Sequence, residues 1–379
     1  METIKNYGII EDCFAKTAHV TSTLLWGNPE KTPQPWLTVL IPTYRRPMLL
    51  KQAIESVLTQ QHTDCCWELL IVDNEPYDGR PNATEALIRK IDDPRILYYR
   101  NSENVLPGDN FNRGILLARG EWVSILHDDD ILIRSSLRKI KELITSYETV
   151  KKPIGAITAG YVPFRHDPKK DMILADIVGL NNYYSSLPTD FSVYKNTLNS
   201  SLISFWFGNL PSNGSVFNRK AMLEFGGFNE SNGICADIIL LYNMSRKFSV
   251  YSTYTPLGLY RIGYNVSLKK ESIERTIKGY HELCEFIFSR NFYCRIMGFF
   301  LKENTYHSAV EGYISGLNLG NNEEDQEKIS YDDYADIHPK RPSKFGSLLL
   351  KKFFIRIYNL YKKMQTKRLC KKAMKGVQE

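Results

Sequence analysis

Three consecutive carboxylates, Asp128, Asp129 and Asp130, follow a short apolar segment at residues 122–126. The segment has the composition of a buried strand, which places the acids at its carboxyl end. Adjacent like charges repel one another and lose hydration inside a fold, so they are tolerated chiefly in water or beside a neutralising cation. Ligands of open α/β sheets bind outside the carboxyl ends of the strands. We therefore predict a divalent-metal and phosphate site at this turn.

A plainer interpretation of the acidic turn stays open at this point. Asp130 is also a suitable N-cap for a helix that begins near Ile131, with Asp128 and Asp129 as solvated turn residues. The rest of the chain has to decide between the two.

Apolar segments alternate with helical patterns from residue 36 to residue 162. The apolar segments at residues 36–44, 67–75, 96–99 and 122–126 are each followed by a helical pattern. This alternation predicts a mainly parallel sheet with helices on both faces. Asp73, like Asp128, then lies at the carboxyl-terminal edge of the sheet. Neither a G-x-G-x-x-G sequence nor a P-loop lysine follows the first strand, which disfavours a dinucleotide dehydrogenase or a P-loop NTPase.

The remainder of the chain divides by composition. Asp237 heads a helix, and residues 258–270 are predicted to be a loop. The expected organisation is an irregular leader (1–35), an α/β domain (36–270) with a nucleotide-binding half (36–162) and an acceptor half (163–270), a helical extension (271–318), an acidic linker (319–343) and a basic amphipathic helix (344–379).

Charge is concentrated at the carboxyl terminus. The formal net charge is +7, but residues 340–379 contain 13 Lys and Arg against one Glu, that is +12, which leaves −5 for the rest. A basic amphipathic helix fits an anionic membrane surface, although it could equally pack on the body through its apolar stripe. Nothing else in the chain suggests nucleic-acid binding.

Composition also constrains the compartment. Seven cysteines without C-x-x-C spacing favour reduced thiols in the cytoplasm. The acidic amino terminus is unlike a signal peptide, and no apolar stretch is long enough to span a bilayer. We expect a cytoplasmic protein, either soluble or peripheral on the inner face of the cell membrane.

Five segments in this order and spacing resemble the inverting family 2 glycosyltransferases. They are LTVLIPTYRR, ELLIVDNE, the stretch from Asn112 to Glu121, ILHDDDIL, and GSVFNRKAMLEFGGFNE followed by Asp237. The resemblance covers roughly residues 36–270. It implies the GT-A fold, a Rossmann-like, mainly parallel sheet flanked by helices, here with a C-terminal helical extension.

The resemblance also implies roles for individual residues on the donor side of the site. Asp73 matches the position that contacts the nucleotide base, and Thr43 and Tyr44 would line the same pocket. The acidic turn matches the D-x-D element, which binds ribose and an Mn²⁺ or Mg²⁺ ion on the diphosphate. Asp128 is then assigned to the nucleotide, and Asp129 and Asp130 to the metal.

The sequence departs from the family pattern at several positions. His127 stands where the first Asp of D-x-D is usual, so either Asp129 or the pair Asp128 and Asp130 would serve the metal. Asp237 matches the catalytic base, but Ala236 occupies the place of a supporting Glu. Arg261 matches a loop that closes over the diphosphate, whereas Gly263 replaces a common His.

The expected activity is a metal-dependent transfer of one sugar from a nucleotide-sugar donor to a glycan or lipid-linked acceptor in polysaccharide biosynthesis. Two other interpretations stay open. One is a membrane scaffold with weakened catalysis, which the departures at Ala236 and Gly263 favour. The other is a sugar nucleotidyltransferase, which is disfavoured because PTYRRP stands where a Gly-rich loop is needed.

Overall fold

The computed structural model describes residues 6–31, 33–61, 63–148, 152–165, 174–190, 192–195, 214–262, 270–318, 329–334 and 345–376. The strands are β1 (Ser22–Trp26), β2 (Leu37–Thr43), β3 (Trp67–Asp73), β4 (Ile96–Asn101), β5 (Trp122–Ile125), β6 (Ile131–Leu132), β7 (Ile154–Arg165), β8 (Val193–Lys195), β9 (Val216–Asn218) and β10 (Ser249–Ile262). The helices are α1 (Pro47–Leu58), α2 (Ala83–Ile91), α3 (Pro107–Leu117), α4 (Ser136–Tyr147), α5 (Leu174–Ser186), α6 (Arg219–Glu224), α7 (Ala236–Met244), α8 (Lys270–Ser289), α9 (Phe292–Asn318) and α10 (Phe345–Gly376).

One sheet joins all the described strands in the order β1-β4-β3-β2-β5-β9-β7-β10-β6, with β8 pairing β10. Strands β4, β3, β2 and β5 are mutually parallel, as the alternation predicts. Strand β9 is antiparallel to both of its neighbours, β5 and β7, and β7 then pairs β10 in parallel. The sheet is therefore parallel from β4 to β5 and mixed beyond β5.

Successive side chains of a strand point to opposite faces of the sheet, and in the parallel strands both sets are apolar, so both faces are covered by helices. In β2, Leu37, Val39 and Ile41 enter the core beneath α1, α2 and α4, whereas Leu40 enters the core on the opposite face. That opposite face is covered by residues of α3, α6 and α7. Strands buried on both faces are nearly continuous apolar runs, and each aliphatic side chain buried there contributes about 1.5–3 kcal/mol.

Two expectations about irregular segments are corrected by the structure. The leader is not entirely irregular, because β1 (Ser22–Trp26) pairs antiparallel with β4 at the edge of the sheet. The segment predicted to be a loop at 258–270 begins as strand, since β10 extends to Ile262 and pairs with β6 and β7. Residues 263–269, including Gly263, lie outside the described residues.

A separate helical core follows the sheet. Helices α8 and α9 run one after the other and bury apolar residues such as Ile277, Ile287 and Val310 together with part of α7. This pair is the helical extension that the sequence predicts. Within the acidic linker, the described part is a short 3-10 turn at Tyr331–Tyr334.

The basic carboxyl terminus is a helix, as predicted. Leu369 of α10 is buried in the main core, and Cys370 lies near Tyr147 of α4. In contrast, Phe353, Ile357, Leu360 and Met364 are exposed. In the described part of the chain, we find no helix with the length and apolarity needed to cross a bilayer.

Candidate active site

The acidic turn lies at the carboxyl edge of the parallel strands, and the end of β2 holds it. The hydroxyl of Thr43 donates to Asp128 Oδ2 at 2.8 Å, and the Tyr44 backbone N–H also donates to this carboxylate. Arg46, at the start of α1, places Nη1 3.4 Å from Asp128 Oδ1 and 3.0 Å from Asp129 Oδ2. One guanidinium therefore partly neutralises two of the three acids.

Arg261 fixes the other side of the turn from inside the protein. Its backbone N–H donates to Asp130 Oδ1 at 2.7 Å, and its Nε donates to the Asp129 carbonyl at 2.6 Å. Its Nη2 reaches Gln52 at 2.7 Å, and the guanidinium lies over the Phe164 ring. The side chain is fully buried. In this geometry Arg261 positions the acidic turn, which gives no support to the expected contact with a diphosphate.

Burial dominates the electrostatics of the turn. Loss of hydration and the neighbouring Asp129 raise the pKa of Asp128 to about 6, against the lowering effect of Arg46. The same two causes raise the pKa of Asp130 well above its usual range. Burial lowers the pKa of His127, which favours the neutral imidazole, the form that ligates metals.

Three side chains of the turn converge as a possible metal site. His127, Asp129 and Asp130 each offer a ligand atom, and these atoms lie within 4.8 Å of one another. Asp130 Oδ2 is buried without a hydrogen bond, 3.8 Å from His127 Nδ1. A buried carboxylate oxygen without a donor is what a bound cation would satisfy, so these residues fit a divalent metal. In contrast, the Asp128 carboxylate already accepts hydrogen bonds from Thr43, Tyr44 and Arg46.

Asp73 lies on the neighbouring strand, paired in register with Thr43. It is fully buried and accepts three hydrogen bonds: Oδ1 from the Glu75 backbone N–H at 2.9 Å, and Oδ2 from Asn82 at 2.9 Å and from the Tyr98 hydroxyl at 2.8 Å. Burial raises the pKa of Asp73 in spite of these donors. The carboxylate thus shapes the strand end, with Glu75 and Asn82 beside it.

Tyr44 lies on the open side of the site. Its ring is partly exposed, and the Arg45 guanidinium is 5.1 Å from the ring centre. Arg45 has a positive φ of 55° and also donates to Glu75 at 2.8 Å. The strained backbone turns the chain sharply between β2 and α1.

Asp237 lies in the first turn of α7 and is half-buried. The segment that leads to it is anchored to α3: Asn112 Nδ2 donates to the Phe228 carbonyl and Asn112 Oδ1 accepts from the Phe228 N–H, both at 2.8 Å. Glu230 accepts from the Gly108 N–H at 2.6 Å. Phe111 packs against both Phe228 and His127, which connects this segment to the acidic turn.

The structure therefore brings together Thr43, Tyr44, Asp128, Asp129, Asp130 and Arg261 at one edge, with Asp73 on the adjacent strand end. Sequence reasoning assigned no role to Arg46 or to the Asn82 and Tyr98 pair. Arg46 ends the segment LTVLIPTYRR and follows closely after a strand. Residues at that position in an α/β sheet often line the binding site, so the sequence did contain a signal for Arg46.

Comparison with known proteins relates part of the chain to one family. The model described as "Glycosyl transferase family 2" matches residues 38–201, which include most of β2, the acidic turn and β8. This part of the chain is similar to glycosyl transferase family 2.

Curated relatives match over a shorter region. A "GalNAc(5)-diNAcBac-PP-undecaprenol beta-1,3-glucosyltransferase" of Campylobacter jejuni is 34% identical over 109 residues, 28% of this chain and 34% of that protein. An "Abequosyltransferase" of Salmonella typhimurium is 31% identical over 110 residues, 29% of this chain and 33% of that protein. The matched region thus spans about a third of the length of these relatives.

Among solved structures, S. aureus TarS in complex with UDP aligns with a TM-score of 0.47 and 13% identity over 76% of each chain. A Pyrobaculum calidifontis mannosyltransferase in complex with GDP-Man and Mn²⁺ aligns with a TM-score of 0.47 and 14% identity, over 92% of this chain and 88% of that one.

Proposed function

We propose that the chain is a metal-dependent, inverting glycosyltransferase that moves a single sugar from a nucleotide-sugar donor to a glycan or lipid-linked oligosaccharide acceptor. One observation carries the proposal. His127, Asp129 and the unpartnered Asp130 oxygen converge at the carboxyl edge of parallel strands in a family 2 domain. Buried carboxylates of this kind need a cation, and this edge is where α/β sheets bind nucleotides.

The donor lies along this edge in the proposal. Thr43, Tyr44 and the strand end at Asp73 line the nucleotide pocket, and Asp128 faces the ribose. Asp129 and Asp130 would hold Mn²⁺ or Mg²⁺, which would supply positive charge for the leaving diphosphate. Arg261 positions the turn from behind through its contacts with Asp129 and Asp130.

Asp237 is the proposed catalytic base. The acceptor hydroxyl loses a proton as it attacks the anomeric carbon, and a carboxylate across the sugar from the diphosphate takes that proton. Attack on the face opposite the leaving group inverts the anomeric centre in one displacement. The half-buried position of Asp237 on a helix start, anchored through Phe228 to α3, suits a base that meets an incoming acceptor.

A lipid-linked acceptor would place the protein at the cytoplasmic face of a membrane, where surface polysaccharides are assembled. The name of the Campylobacter relative describes an undecaprenol-linked acceptor, which supports this class for the present chain. Helix α10 (Phe345–Gly376) contains ten Lys and Arg and no acid, so it suits an anionic membrane surface.

Two variants test the chemistry. Release of nucleoside diphosphate from a panel of UDP-, GDP- and dTDP-sugars is measured with Mn²⁺ or EDTA, for the wild type, Asp129→Asn and Asp237→Asn. We expect metal-dependent turnover of one donor, no donor binding or turnover in Asp129→Asn, and donor binding without turnover in Asp237→Asn. Asp332→Asn, an exposed acid in the linker, is the matched control.

The same assay decides between the alternatives. A catalytically weakened scaffold would turn over no donor, and Asp237→Asn would change nothing. A sugar nucleotidyltransferase would instead consume a nucleoside triphosphate and release pyrophosphate. Absence of binding to every donor in the presence of metal would exclude the transferase.

The role of α10 has its own test, in which the charge of two exposed lysines is reversed. Lys363→Glu with Lys367→Glu should weaken binding to phosphatidylglycerol vesicles at low salt, and the loss should vanish at high salt. Lys90→Glu with Lys220→Glu makes the same charge change elsewhere and should leave binding intact. Equal loss in both double variants would show that only total charge matters.

A further inference from the structure

An apolar stripe lies on the solvent side of α9 (Phe292–Asn318). Its residues are Phe292, Tyr293, Ile296, Phe299 and Phe300. Phe292, Tyr293 and Phe299 are 68%, 79% and 85% exposed. The spacing i, i+1, i+4, i+7, i+8 places all five on one face over the first turns of the helix. Surface helices of soluble domains usually present polar residues here, and a contiguous exposed aromatic face marks an interaction site.

The stripe is not a core face left uncovered. The opposite side of α9 is the one that packs: Cys294, Leu301 and Thr305 are buried in the helical core. Gly298 lies against α8, where an added Cβ would come within 2.9 Å of the Phe288 side chain. The close approach that Gly298 permits fixes which face of α9 looks inward. The aromatic stripe therefore points away from the body of the protein.

The charges around the stripe are mainly positive. Arg290 precedes the helix, and Arg295 flanks the stripe by helical spacing. Lys302, on the same side, is paired with Glu285 at 2.6 Å. Glu303 lies on the stripe's own line one turn further and ends it. Helix α10, which packs against α9, adds ten positive charges and no negative one, and it exposes Phe353, Leu360 and Met364.

We propose that the α9 stripe inserts into the headgroup region of an anionic lipid bilayer. Aromatic and aliphatic side chains beside Lys and Arg are the composition that interfacial helices use, since the rings enter the acyl boundary and the cations meet anionic headgroups. A second copy of this chain is a less suitable partner for the stripe than a bilayer, because the basic α10 helices of the two copies would repel each other. The inference goes beyond the proposed transfer reaction and does not depend on it.

The stripe and α10 would act through different forces. Binding through α10 is electrostatic and falls with salt, whereas insertion of the stripe follows buried apolar area and persists at high salt. Salt therefore separates the two contributions within one protein.

The test measures partition of the full chain into vesicles of phosphatidylglycerol and phosphatidylcholine at low salt and at about 0.5 M salt, well beyond the range where exposed charges act. Tyr293→Ser with Phe299→Ser should lower the partition coefficient about tenfold or more at both salt concentrations. Tyr183→Ser, which removes a comparably exposed ring from α5, is the matched control and should bind as the wild type does.

A second variant reports insertion directly. Phe299→Trp adds a fluorophore at the most exposed position of the stripe, and lipids brominated near the headgroups should quench its added emission. Equal partition of wild type and Tyr293→Ser with Phe299→Ser, or an unquenched Trp, would overturn the proposal. A wild-type dimer that the double variant loses, with vesicle binding unchanged, would assign the stripe to a second copy instead.

Discussion

Arg46 Nη1 lies 3.0 Å from Asp129 Oδ2, so a protein cation already occupies one side of the proposed metal site. The same nitrogen is 3.4 Å from Asp128 Oδ1, and both carboxylates are nearly buried. The guanidinium compensates part of the repulsion among three adjacent acids. It also opposes the entry of a second cation, because like charges at this range repel.

Replacement of Arg46 by Gln should have two opposite effects. The free energy of unfolding should fall by about 1–3 kcal/mol, because two largely buried carboxylates lose their charged donor. The affinity for Mn²⁺ alone should rise, because the competing positive charge is gone. Urea denaturation and calorimetric titration measure the two quantities.

Arg45→Gln is the matched control for this prediction. Arg45 is exposed and pairs with Glu75, so its replacement should change neither stability nor Mn²⁺ affinity appreciably. Weaker Mn²⁺ binding by Arg46→Gln than by Arg45→Gln would contradict the idea of competition.

The affinity for Mn²⁺ should rise with pH. Burial and the neighbouring Asp129 raise the pKa of Asp130, a proposed metal ligand, well above its usual range. Cation binding at Asp130 must displace its proton, so binding strengthens as pH rises through the raised pKa. Thermal shift with Mn²⁺ between pH 5 and pH 8, roughly the span in which proteins are usually most stable, measures the effect.

The metal-free protein should show the opposite trend in stability. A carboxylate whose folded pKa is raised binds its proton more tightly in the folded state than in the unfolded chain. Its contribution therefore falls as pH rises from the ordinary value of 3.8 to about 6. Asp128→Asn should flatten this part of the curve. A curve that rises through this window in the wild type but not in Asp128→Asn would contradict the raised pKa.

Tyr98→Phe should disturb the proposed donor pocket through Asp73. The Tyr98 hydroxyl donates to Asp73 Oδ2 at 2.8 Å in a fully buried setting. Its loss should lower the free energy of unfolding by about 1–2 kcal/mol. If Asp73 shapes the nucleotide pocket, KM for the donor rises more than kcat falls.

Tyr99→Phe provides the comparison for this change. Tyr99 is the neighbouring residue on β4, it is half-buried, and its side chain points to the other face of the sheet. It should leave KM unchanged. A fall in kcat with unchanged KM in Tyr98→Phe would contradict the proposal that Asp73 shapes the donor pocket.

The parallel half of the fold could be predicted from the sequence because its information is local. Helix α2, for example, has local signals at both ends, because the Asn82 side chain caps its start and the apolar spacing ends at Ile91. The common edge of Asp73 and Asp128 followed from the rule that parallel strands end together. Both depend on short segments with strong periodicity.

The features that could not be predicted depend on distant pairing. Strand β1 gains its partner from β4, and β9 inserts antiparallel between β5 and β7. Neither partner is visible in the local pattern. Arg261 was assigned from a resemblance to a loop, but β10 continues through it and turns its side chain inward beneath Asp129. The position of the Arg261 side chain thus follows from its place on strand β10 and not from its residue type.

Asn112→Ala should uncouple the segment that leads to Asp237. The Asn112 amide makes two reciprocal hydrogen bonds with the Phe228 backbone and is fully buried. Its removal leaves a buried N–H and a buried carbonyl unpaired, which should lower the free energy of unfolding by about 2–4 kcal/mol. We also expect transfer to fall more than donor binding, because Asp237 follows this anchor while the acidic turn keeps its own contacts.

Asn112→Asp separates the two hydrogen bonds in this anchor. The aspartate keeps the acceptor for the Phe228 N–H but directs a carboxylate oxygen at the Phe228 carbonyl, so its stability should fall below that of the wild type and recover in part at low pH, where the protonated acid can donate. Asn182→Ala removes an exposed amide and serves as the control. Transfer and donor binding are compared at a temperature where circular dichroism shows each variant folded. Parallel loss of both activities in Asn112→Ala would show that the anchor supports the proposed donor site rather than the proposed catalytic base, Asp237.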